Sequence, residues 1–403
     1  MTRALPCLCG LLATSLVACS DDGGATTNQG QTSQVDPTSG GTSVDPPVTT
    51  GGTPPATSVT DDDGSESMSA SQAATTADPP GSTSAPDPTS GGATTLDPET
   101  TRSSSDETTT GNPVETGTVR FVAFGDTGEG NEAQYMVAEA IVNICADKGC
   151  DFAMLLGDNF YDSGVDGVDD SQWQEKFELP YMDFTFPIYA SLGNHDYGGN
   201  GIGVDFDMSK SDYQVEYTDV SELWTMPDKY YTFKEQHAEF WGLDTNQVMT
   251  DPINGNSDPQ KNWLLAGVNA STATWKVAFG HHPYISNGDH GNAGAYENLE
   301  DIPLPFVTGE NVKEFMEDAI CGKVDLYVCG HDHSIQWLEP TCGTEFIVSG
   351  AGSKSEGLPG SNPAFFSMAD TEGFVWIELK DSTLTGTFYD STGKELYTRT
   401  VMK

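Results

Sequence analysis

Five times along the chain, a short apolar run ends in a glycine that is followed at once by an Asp, Asn or His. The five motifs are Gly125-Asp126-Thr127-Gly128, Gly157-Asp158-Asn159-Phe160-Tyr161, Gly193-Asn194-His195-Asp196, Gly280-His281-His282-Pro283 and Gly330-His331-Asp332-His333. Short apolar runs bounded by turn residues are typical of buried strands. Open α/β sheets hold ligands at the carboxyl ends of their strands. The repeat therefore predicts an α/β chain that gathers polar side chains at one edge of its sheets.

The apolar spacing between and after the motifs alternates between strand and helix patterns. Strands are predicted at residues 119–124, 152–156, 187–192, 230–233, 239–243, 275–279 and 324–328. Helices are predicted at 131–146, 259–269 and 311–320. The tail favours antiparallel strands at 374–379, 385–389 and 396–401. This mixture predicts an α/β (α+β) fold in which two mixed β-sheets pack as a sandwich with helices on the outer faces.

The N-terminal segment has the pattern of an export signal. Residues 1–19 carry Arg3 and then an apolar run that is too short to span a membrane. The run ends in Leu16-Val17-Ala18-Cys19, which resembles the lipobox of bacterial lipoproteins with Cys19 as the lipidated residue. The alternative is an ordinary signal peptide with an incidental cysteine. We expect export and lipid anchoring at the bacterial cell envelope or surface, with secretion as the alternative.

Residues 20–116 are predicted to form a disordered linker. The segment is rich in Thr, Ser, Gly, Pro and Asp and contains no Phe, Trp or Tyr. Such a composition buries too little apolar surface to offset the entropy lost on ordering. The remaining residues, 117–403, are therefore expected to form one folded domain.

The folded part is strongly acidic in its own right. The whole chain has a net charge of −44, and beyond residue 116 it contains 46 acidic and 15 basic residues. No basic patch stands out, so nucleic acid is not expected as a partner. An acidic exterior repels phosphate-bearing molecules, so an anion site here needs strong local positive charge. Bound metal ions supply such charge.

The cysteines suggest two disulfides, because export permits their formation. Cys7 and Cys9 belong to the signal and Cys19 to the lipobox, which leaves five of the eight cysteines. Cys145 and Cys150 close a short loop at a helix end and are the first expected pair. Cys321 and Cys342 flank the Gly330 motif and are the second, with Cys329 as a buried free thiol. Spacing alone does not fix connectivity, so other pairings stay open.

Histidine is concentrated in the motifs. Six of the seven histidines lie in them or, for His290, just beyond one. Any single motif is explained equally well as a capped turn after a strand, but histidines that serve only packing would be scattered. The donors are oxygen and nitrogen, a set that suits Fe, Zn or Mn. Seven donors exceed one tetrahedral site and suit two ions about 3.5–4 Å apart that share a carboxylate, as in phosphoester hydrolysis.

In this order, the five motifs resemble those of the metallophosphoesterase superfamily, whose calcineurin-like fold is a two-sheet sandwich flanked by helices. The closer resemblance is to purple acid phosphatases of the small tartrate-resistant type. Tyr161 is the discriminating residue, because most other metallophosphoesterases lack this tyrosine. His290, nine residues after His281, also matches the small acid phosphatases. The resemblance covers residues 118–355.

The resemblance implies a dinuclear metal centre. One ion, Fe(III), would be held by Asp126, Asp158, Tyr161 and His333. The other, Fe(II), Zn or Mn, would be held by Asp158, Asn194, His281 and His331, with Asp158 as the bridge. His195 and His290 would bind the phosphate and protonate the leaving oxygen. Asp196 and Asp332 are expected to orient imidazoles without binding metal, and His282 to be structural or supporting rather than a substrate contact.

The implied activity is that of an acid phosphatase, a hydrolase of phosphate monoesters with a metal-bound hydroxide as nucleophile and histidine as general acid. The alternatives are a phosphodiesterase or nucleotidase with the same metal centre, or a non-catalytic surface protein that kept the fold. The expected partner is a small phosphorylated substrate, and the membrane is contacted only through the lipid anchor. We expect a monomer, with the segment 198–222 as a variable loop that rims the pocket.

Overall fold

The computed structural model describes residues 116–199, 201, 205–251, 257–299 and 303–403. The predicted signal segment with Cys19, and the predicted linker up to residue 115, lie outside the described residues. Within the described ranges, no helix combines the length and apolar character needed to cross a membrane.

The first mixed sheet joins strands from both ends of the folded part. Its strands are β1 (Thr118–Phe124), β2 (Phe152–Leu156), β3 (Ile188–Ser191), β4 (Trp224–Thr225), β12 (Gly373–Lys380), β13 (Thr383–Asp390) and β14 (Glu395–Met402). They lie in the order β14-β13-β12-β1-β2-β3-β4. Strands β1 to β4 are parallel, whereas β12 pairs antiparallel with β1, and β13 and β14 continue antiparallel.

The second mixed sheet is built from the middle of the chain. Its strands are β5 (Tyr231–Glu235), β6 (Ala238–Gly242), β7 (Trp275–Phe279), β8 (Leu326–Cys329), β9 (Ile335–Leu338), β10 (Glu345–Ser349) and β11 (Ala364–Met368). They lie in the order β11-β9-β10-β8-β7-β6-β5. Strands β6, β7, β8 and β10 are parallel to their neighbours within this group.

The helices are α1 (Glu132–Lys148), α2 (Met208–Glu216), α3 (Thr245–Met249), α4 (Ser257–Ala270), α5 (Pro305–Thr308) and α6 (Glu310–Ala319). Helix α1 begins where the Asn131 side chain accepts a hydrogen bond from the backbone amide of Gln134, and it ends at Gly149, whose φ is 85°. A side-chain cap at the start and a glycine at the end are the usual boundaries of a helix.

The two sheets pack face to face through aromatic rings. Phe240 of β6 lies edge-on to Phe121 of β1 and Phe152 of β2, at centroid distances of 5.6 and 5.1 Å. On β8, Leu326 and Val328 belong to this inter-sheet core. The intervening residues of β8 pack instead with side chains of α3, α4 and α6. This alternation follows from the two-residue period of a strand, and it confirms the predicted sandwich with outer helices.

The predicted strands and helices are confirmed, with ends that differ by at most two residues. The expected loop 198–222 is corrected in part, because α2 occupies Met208–Glu216. The helix could not be predicted from the sequence because its buried residues, Ser211 and Gln214, are polar, so apolar residues do not recur at helical spacing. Strands β4, β9, β10 and β11 and the short helices α3 and α5 were also not predicted.

Both expected disulfides are confirmed. Cys145 bonds to Cys150 and joins the end of α1 to the segment before β2. Cys321 bonds to Cys342 and joins the end of α6 to the segment before β10. Cys329 is a buried free thiol, as expected.

Candidate metal centre

The five motifs meet because they follow parallel neighbouring strands. Three of them follow β1, β2 and β3 of the first sheet, and two follow β7 and β8 of the second. Hydrogen bonds from backbone amides join these strand ends. The amide of Asp126 donates to the Gly157 carbonyl at 3.0 Å, and the amide of His331 donates to Asp126 Oδ2 at 2.9 Å. The carboxyl edges of both sheets therefore face one common site.

Three of the predicted ligands have left-handed backbone conformations. The φ angles are 58° at Asp126, 51° at Asp158 and 70° at His331. Such angles are uncommon for residues other than glycine, and they persist where surrounding structure imposes them. Each of the three residues directly follows its motif glycine. The chain therefore turns sharply at the strand end and directs the side chain into the space between the sheets.

Two motif glycines are required by close approach to the ligands. A Cβ on Gly193 would lie 2.2 Å from the amide nitrogen and Oδ1 of Asp158. A Cβ on Gly330 would lie 2.4 Å from Oδ2 of Asp126. Any larger residue at either position would displace a carboxylate of the site.

One group of donors is formed by Asp126, Tyr161 and His333. The Tyr161 hydroxyl lies 3.1 Å from Asp126 Oδ1 and 3.3 Å from His333 Nε2. The distance from His333 Nε2 to Asp126 Oδ1 is 3.5 Å. All three residues are buried. A carboxylate, a phenol and an imidazole thus converge on one point.

A second group is formed by Asn194, His281 and His331. Asn194 Oδ1 lies 2.9 Å from His281 Nε2 and 3.1 Å from His331 Nδ1, and these two ring nitrogens are 3.1 Å apart. His281 Nδ1 lies 2.9 Å from the carbonyl of Leu156, which can only accept. The proton of a neutral His281 is therefore on Nδ1. The lone pair of Nε2 then faces the point where Asn194 Oδ1 and His331 Nδ1 also converge, and it is available to a metal ion there.

Asp158 lies between the two groups. Its Oδ2 is 3.4 Å from His281 Nε2, while Oδ1 accepts a hydrogen bond from the His195 amide at 2.9 Å. Ligand atoms of Asp126, Asp158 and His281 all lie within 4.8 Å of one another. This is the position expected for a carboxylate shared by two cations.

Buried carboxylates and imidazoles of opposite charge shift one another's pKa values in the site. Burial disfavours the charged form of Asp158, but the imidazoles of His281 and His195 outweigh it and hold its pKa well below the usual value. Burial likewise lowers the pKa of His281, yet the Asp158 carboxylate raises it to about 9. Burial, followed by the charges of Asp126 and Asp158, raises the pKa of Tyr161 well above 10. A phenolate at Tyr161 therefore requires a strongly charged cation within bonding distance.

The donor set fits two metal ions. The two groups supply carboxylate, phenol, amide oxygen and imidazole nitrogen, with Asp158 available to both. Oxygen and nitrogen donors of this kind suit Fe, Zn or Mn. The thiol of Cys329 takes no part, since it contacts the Ile347 carbonyl instead. The structure thus brings together all seven residues that the sequence analysis selected.

The two outer histidines flank the donors on different sides. His195 packs edge-on to the ring of Tyr161, with centroids 4.7 Å apart, and its Nδ1 lies 2.7 Å from the Asp162 carbonyl. His290 stacks on the ring of His331 at 4.4 Å. Both rings are partly accessible, in contrast to the buried ligand residues. This is the placement expected of groups that meet a substrate.

The three residues expected to support the ligands have more varied contacts. Asp196 does not orient an imidazole through its hydrogen bonds, which come from the Gly193, Asn159 and Phe160 amides and two amide side chains. It thereby joins the loops after β2 and β3. Asp332 accepts from the backbone amide of His290 at 2.7 Å, not from a ring nitrogen.

His282 is buried and structural in its contacts. The hydroxyl of Thr245 accepts from the amides of His281 and His282 and lies 2.9 Å from His282 Nδ1. Because both lone pairs of this hydroxyl are occupied, its proton points to Nδ1, and the proton of the neutral ring is on Nε2. Burial, with the neighbouring His281, holds the pKa of His282 well below 6.5.

Four residues near the site were not selected from the sequence as functional residues. Glu356 Oε2 lies 3.0 Å from His333 Nδ1, and Glu297 pairs with His290 Nδ1. Lys354 Nζ lies 3.5 Å from the centroid of the Tyr161 ring. The fourth is Thr245. Single charged residues on loops or in one short turn carry no local pattern, so no sequence signal distinguishes Glu356, Glu297 and Lys354 from the other charged residues.

Comparison with known sequences finds a matching protein family and related phosphatases. The sequence model of the calcineurin-like phosphoesterase family matches residues 119–334, which include all five motifs. The chain is 28% identical to tartrate-resistant acid phosphatase type 5 of Sus scrofa over 319 residues, covering 70% of this chain and 86% of that protein. It is 30% identical to purple acid phosphatase 7 of Arabidopsis thaliana over 314 residues, covering 71% of this chain and 87% of the relative.

A solved structure supports the same fold. The protein described as GAP50, the anchor in the inner membrane complex of Plasmodium, superimposes with a TM-score of 0.56. The match covers 71% of this chain and 89% of that chain at 23% sequence identity. At this identity the likeness concerns the architecture alone.

Proposed function

The chain belongs to the calcineurin-like phosphoesterase family, and from this premise we propose that it is an acid phosphatase that hydrolyses phosphate monoesters. The observation that carries the proposal is the convergence of Tyr161 with Asp126 and His333 on one side of Asp158, while Asn194, His281 and His331 converge on the other. The relatives named acid phosphatases match over most of their own length, which supports the same activity here.

The residues would hold two different metal ions. Asp126, Tyr161 and His333 would hold Fe(III), because a phenol among carboxylates loses its proton only to a strongly charged cation. The second group would hold Fe(II), Zn or Mn, and Asp158 would serve both sites. When bound, such a pair neutralises the charge of a phosphate ester and activates water as a nucleophile.

The outer histidines act on the substrate directly. His195 and His290 flank the donors from two sides and would donate hydrogen bonds to phosphate oxygens. A protonated imidazole at the leaving oxygen serves as general acid. In an acidic protein, these rings together with the metal ions supply the local positive charge that a phosphate needs.

Activity measurements on the purified protein test the proposal. We expect 4-nitrophenyl phosphate to be hydrolysed in preference to bis(4-nitrophenyl) phosphate. Asn194→Ala should abolish turnover, while Asn311→Ala, which changes an amide residue on α6, should leave it intact. Preference for the diester would instead identify a phosphodiesterase with the same metal centre, and full activity of Asn194→Ala would reject this site.

The colour of the protein tests the metal assignment. Phenolate bound to Fe(III) gives a visible charge-transfer band, so we expect a purple protein that contains iron and loses the band in Tyr161→Phe. An active but colourless and iron-free protein would reject Fe(III) and favour a zinc or manganese enzyme.

We also propose that the protein is an exported lipoprotein that acts as a monomer at the bacterial cell envelope or surface. The support is the lipobox-like Leu16-Val17-Ala18-Cys19 at the end of an apolar run. Incorporation of labelled fatty acid that is lost in Cys19→Ser would support it. A processed protein that carries no lipid and is released to the medium would indicate secretion.

A further inference from the structure

The two outer histidines differ in the partner of their Nδ1 atom. At His195 the partner is the carbonyl of Asp162, a neutral acceptor at 2.7 Å. At His290 the partner is the carboxylate of Glu297. Both partners accept a hydrogen bond from Nδ1, but only the carboxylate carries a negative charge. A charged hydrogen bond is roughly twice as strong as a neutral one, so the two rings are not held equally.

Glu297 is itself held in an unusual conformation. Its φ and ψ angles are 57° and 20°, in the left-handed region that residues other than glycine rarely adopt. Its backbone amide donates to the carbonyl of His290 at 3.0 Å. Glu297 therefore returns to His290 through both its main chain and its side chain. Such conformations cost free energy and are concentrated at functional sites.

His290 is fixed on its other sides as well. Its backbone amide donates a hydrogen bond to Oδ1 of Asp332. In the sequence, Asp332 stands between the predicted ligands His331 and His333. Its ring stacks on the His331 ring at 4.4 Å with an interplanar angle of 29°. With Nδ1 engaged by Glu297, Nε2 is the ring nitrogen left for the substrate.

We propose that Glu297 is a positioning residue that holds the His290 ring with Nε2 toward the leaving oxygen, so that His290 rather than His195 donates the proton there. The inference rests on the proposed hydrolysis of monoesters. In that reaction the bond from phosphorus to the leaving oxygen breaks, and this oxygen takes the proton from His290 Nε2. Water supplies the new oxygen on phosphorus, its proton passes to solvent, and His290 is then reprotonated from solvent. His195, beside Tyr161, binds a phosphate oxygen.

Substrates with different leaving groups test this assignment. A general acid matters most when the leaving group is a poor one, such as an alkoxide, and least for 4-nitrophenolate. We expect His290→Ala to lower kcat for an alkyl phosphate by about 100-fold and Glu297→Gln by about 10-fold. For 4-nitrophenyl phosphate, we expect Glu297→Gln to lower kcat by less than about 3-fold. His195→Ala should weaken turnover of both substrates to a similar extent.

The matched control is Glu314→Gln, which makes the same change at an exposed position of α6. It should leave both substrates unaffected. Thermal midpoint and metal content should be the same in Glu297→Gln and the parent protein. Because the Glu297 side chain is half exposed, its replacement leaves no cavity.

A spectroscopic measurement detects the contact without turnover. In zinc-loaded protein with nitrogen-15-labelled histidine, the Nδ1 proton of His290 should resonate at low field. This resonance should move to higher field in Glu297→Gln, where the acceptor is a neutral amide oxygen, and stay unchanged in Glu314→Gln.

The outcomes separate this inference from the proposed function. Equal losses for both substrates in Glu297→Gln would mean a purely structural role and overturn the inference. Selective loss for the alkyl phosphate in His195→Ala, but not in His290→Ala, would assign the proton donor to His195 and leave the phosphatase proposal intact. A parent protein that hydrolyses no monoester would overturn both.

Discussion

A carboxylate outside the predicted donor set, that of Glu356, determines which nitrogen of the His333 imidazole faces the predicted metal site. Glu356 Oε2 lies 3.0 Å from His333 Nδ1, so Nε2 is left toward Asp126 and Tyr161. The His333 imidazole beside it lowers the pKa of Glu356 to about 2, so the carboxylate is charged at neutral pH. Such partners orient a ligand and raise its basicity.

We predict that Glu356→Ala lowers metal affinity by about 10–100-fold, the usual effect of losing a partner of this kind. A competition titration against a chelator measures it. The control is Glu339→Ala, which removes an exposed carboxylate directly after β9. Equal affinities in the two variants would show that Glu356 is not needed to orient His333.

Lys354 places a positive charge on the face of the predicted phenolate ligand. Its Nζ is 3.5 Å from the ring centroid of Tyr161 and 3.0 Å from Glu129 Oε1. A cation over an aromatic face is attracted to it, and more strongly when the ring carries negative charge. The ammonium group therefore stabilises the electrons that a charge-transfer transition would move to iron.

If the protein carries Fe(III) on Tyr161, Lys354→Met should shift the visible band to longer wavelength, because the donor orbital loses this stabilisation. Absorption spectra of the two iron-loaded proteins measure the shift. Lys148→Met is a matched control, since Lys148 also lies over an aromatic ring, that of Trp376, at the far end of α1. A band that does not move, or moves to shorter wavelength, would contradict the prediction.

At the scale of elements, buried polar side chains connect the loops that follow neighbouring strands. Asp196 accepts from the amides of Gly193 on its own loop and of Asn159 and Phe160 on the loop after β2. Two loops that carry predicted ligands thus share one buried carboxylate. The covalent counterparts are the two disulfides, which close chain segments of very different length.

We predict that removing the Cys321–Cys342 bond costs more stability than removing Cys145–Cys150. The sequence separations are 21 and 5 residues. In the chain-entropy model, the longer loop gives about 3 kcal/mol and the shorter about 2 kcal/mol. Denaturant unfolding of the two double Cys→Ser variants measures the difference, each serving as the control for the other. The reverse order would mean that native packing, not loop closure, sets the cost.

At the scale of the whole molecule, the excess of negative charge opposes folding. Beyond residue 116, acidic residues outnumber basic ones by 46 to 15. A net charge this far from zero favours solubility but destabilises the compact state through repulsion. Salt weakens this repulsion, since the screening length falls from about 30 Å at 0.01 M to about 8 Å at 0.15 M.

Raising the ionic strength over that range at pH 7 should therefore stabilise the protein by about 1 kcal/mol, or about 2–4 °C in Tm. Calorimetry in sodium chloride measures the change. Tetramethylammonium chloride is the control, because it screens charge without binding as a small cation. Equal gains support screening, whereas a gain in sodium alone would indicate specific cation binding, and no gain in either salt would contradict the prediction.

The sequence by itself determined the architecture and predicted the residues that meet at the candidate metal centre. Two-residue and helical periods are local properties, so apolar runs such as 152–156 identified strands without knowledge of their neighbours. The donors could be selected because each follows a strand, as Asp158 does, and parallel strands bring their carboxyl ends to one edge. Sequence also indicated the cysteine pairs, since short separations and flanking positions favour proximity.

Only the tertiary structure decided which groups surround those donors. Helix α2 has a polar buried face and therefore no apolar period. Glu356 and Lys354 lie on loops and Glu297 lies in a single 3-10 turn, Tyr296–Asn298, where a charged side chain leaves no pattern in the sequence. Their roles depend on contacts between distant segments, such as Glu297 with His290 or Lys354 with Tyr161. Periodicity records which face of an element is buried, whereas the partner of a single side chain is set by packing across the whole fold.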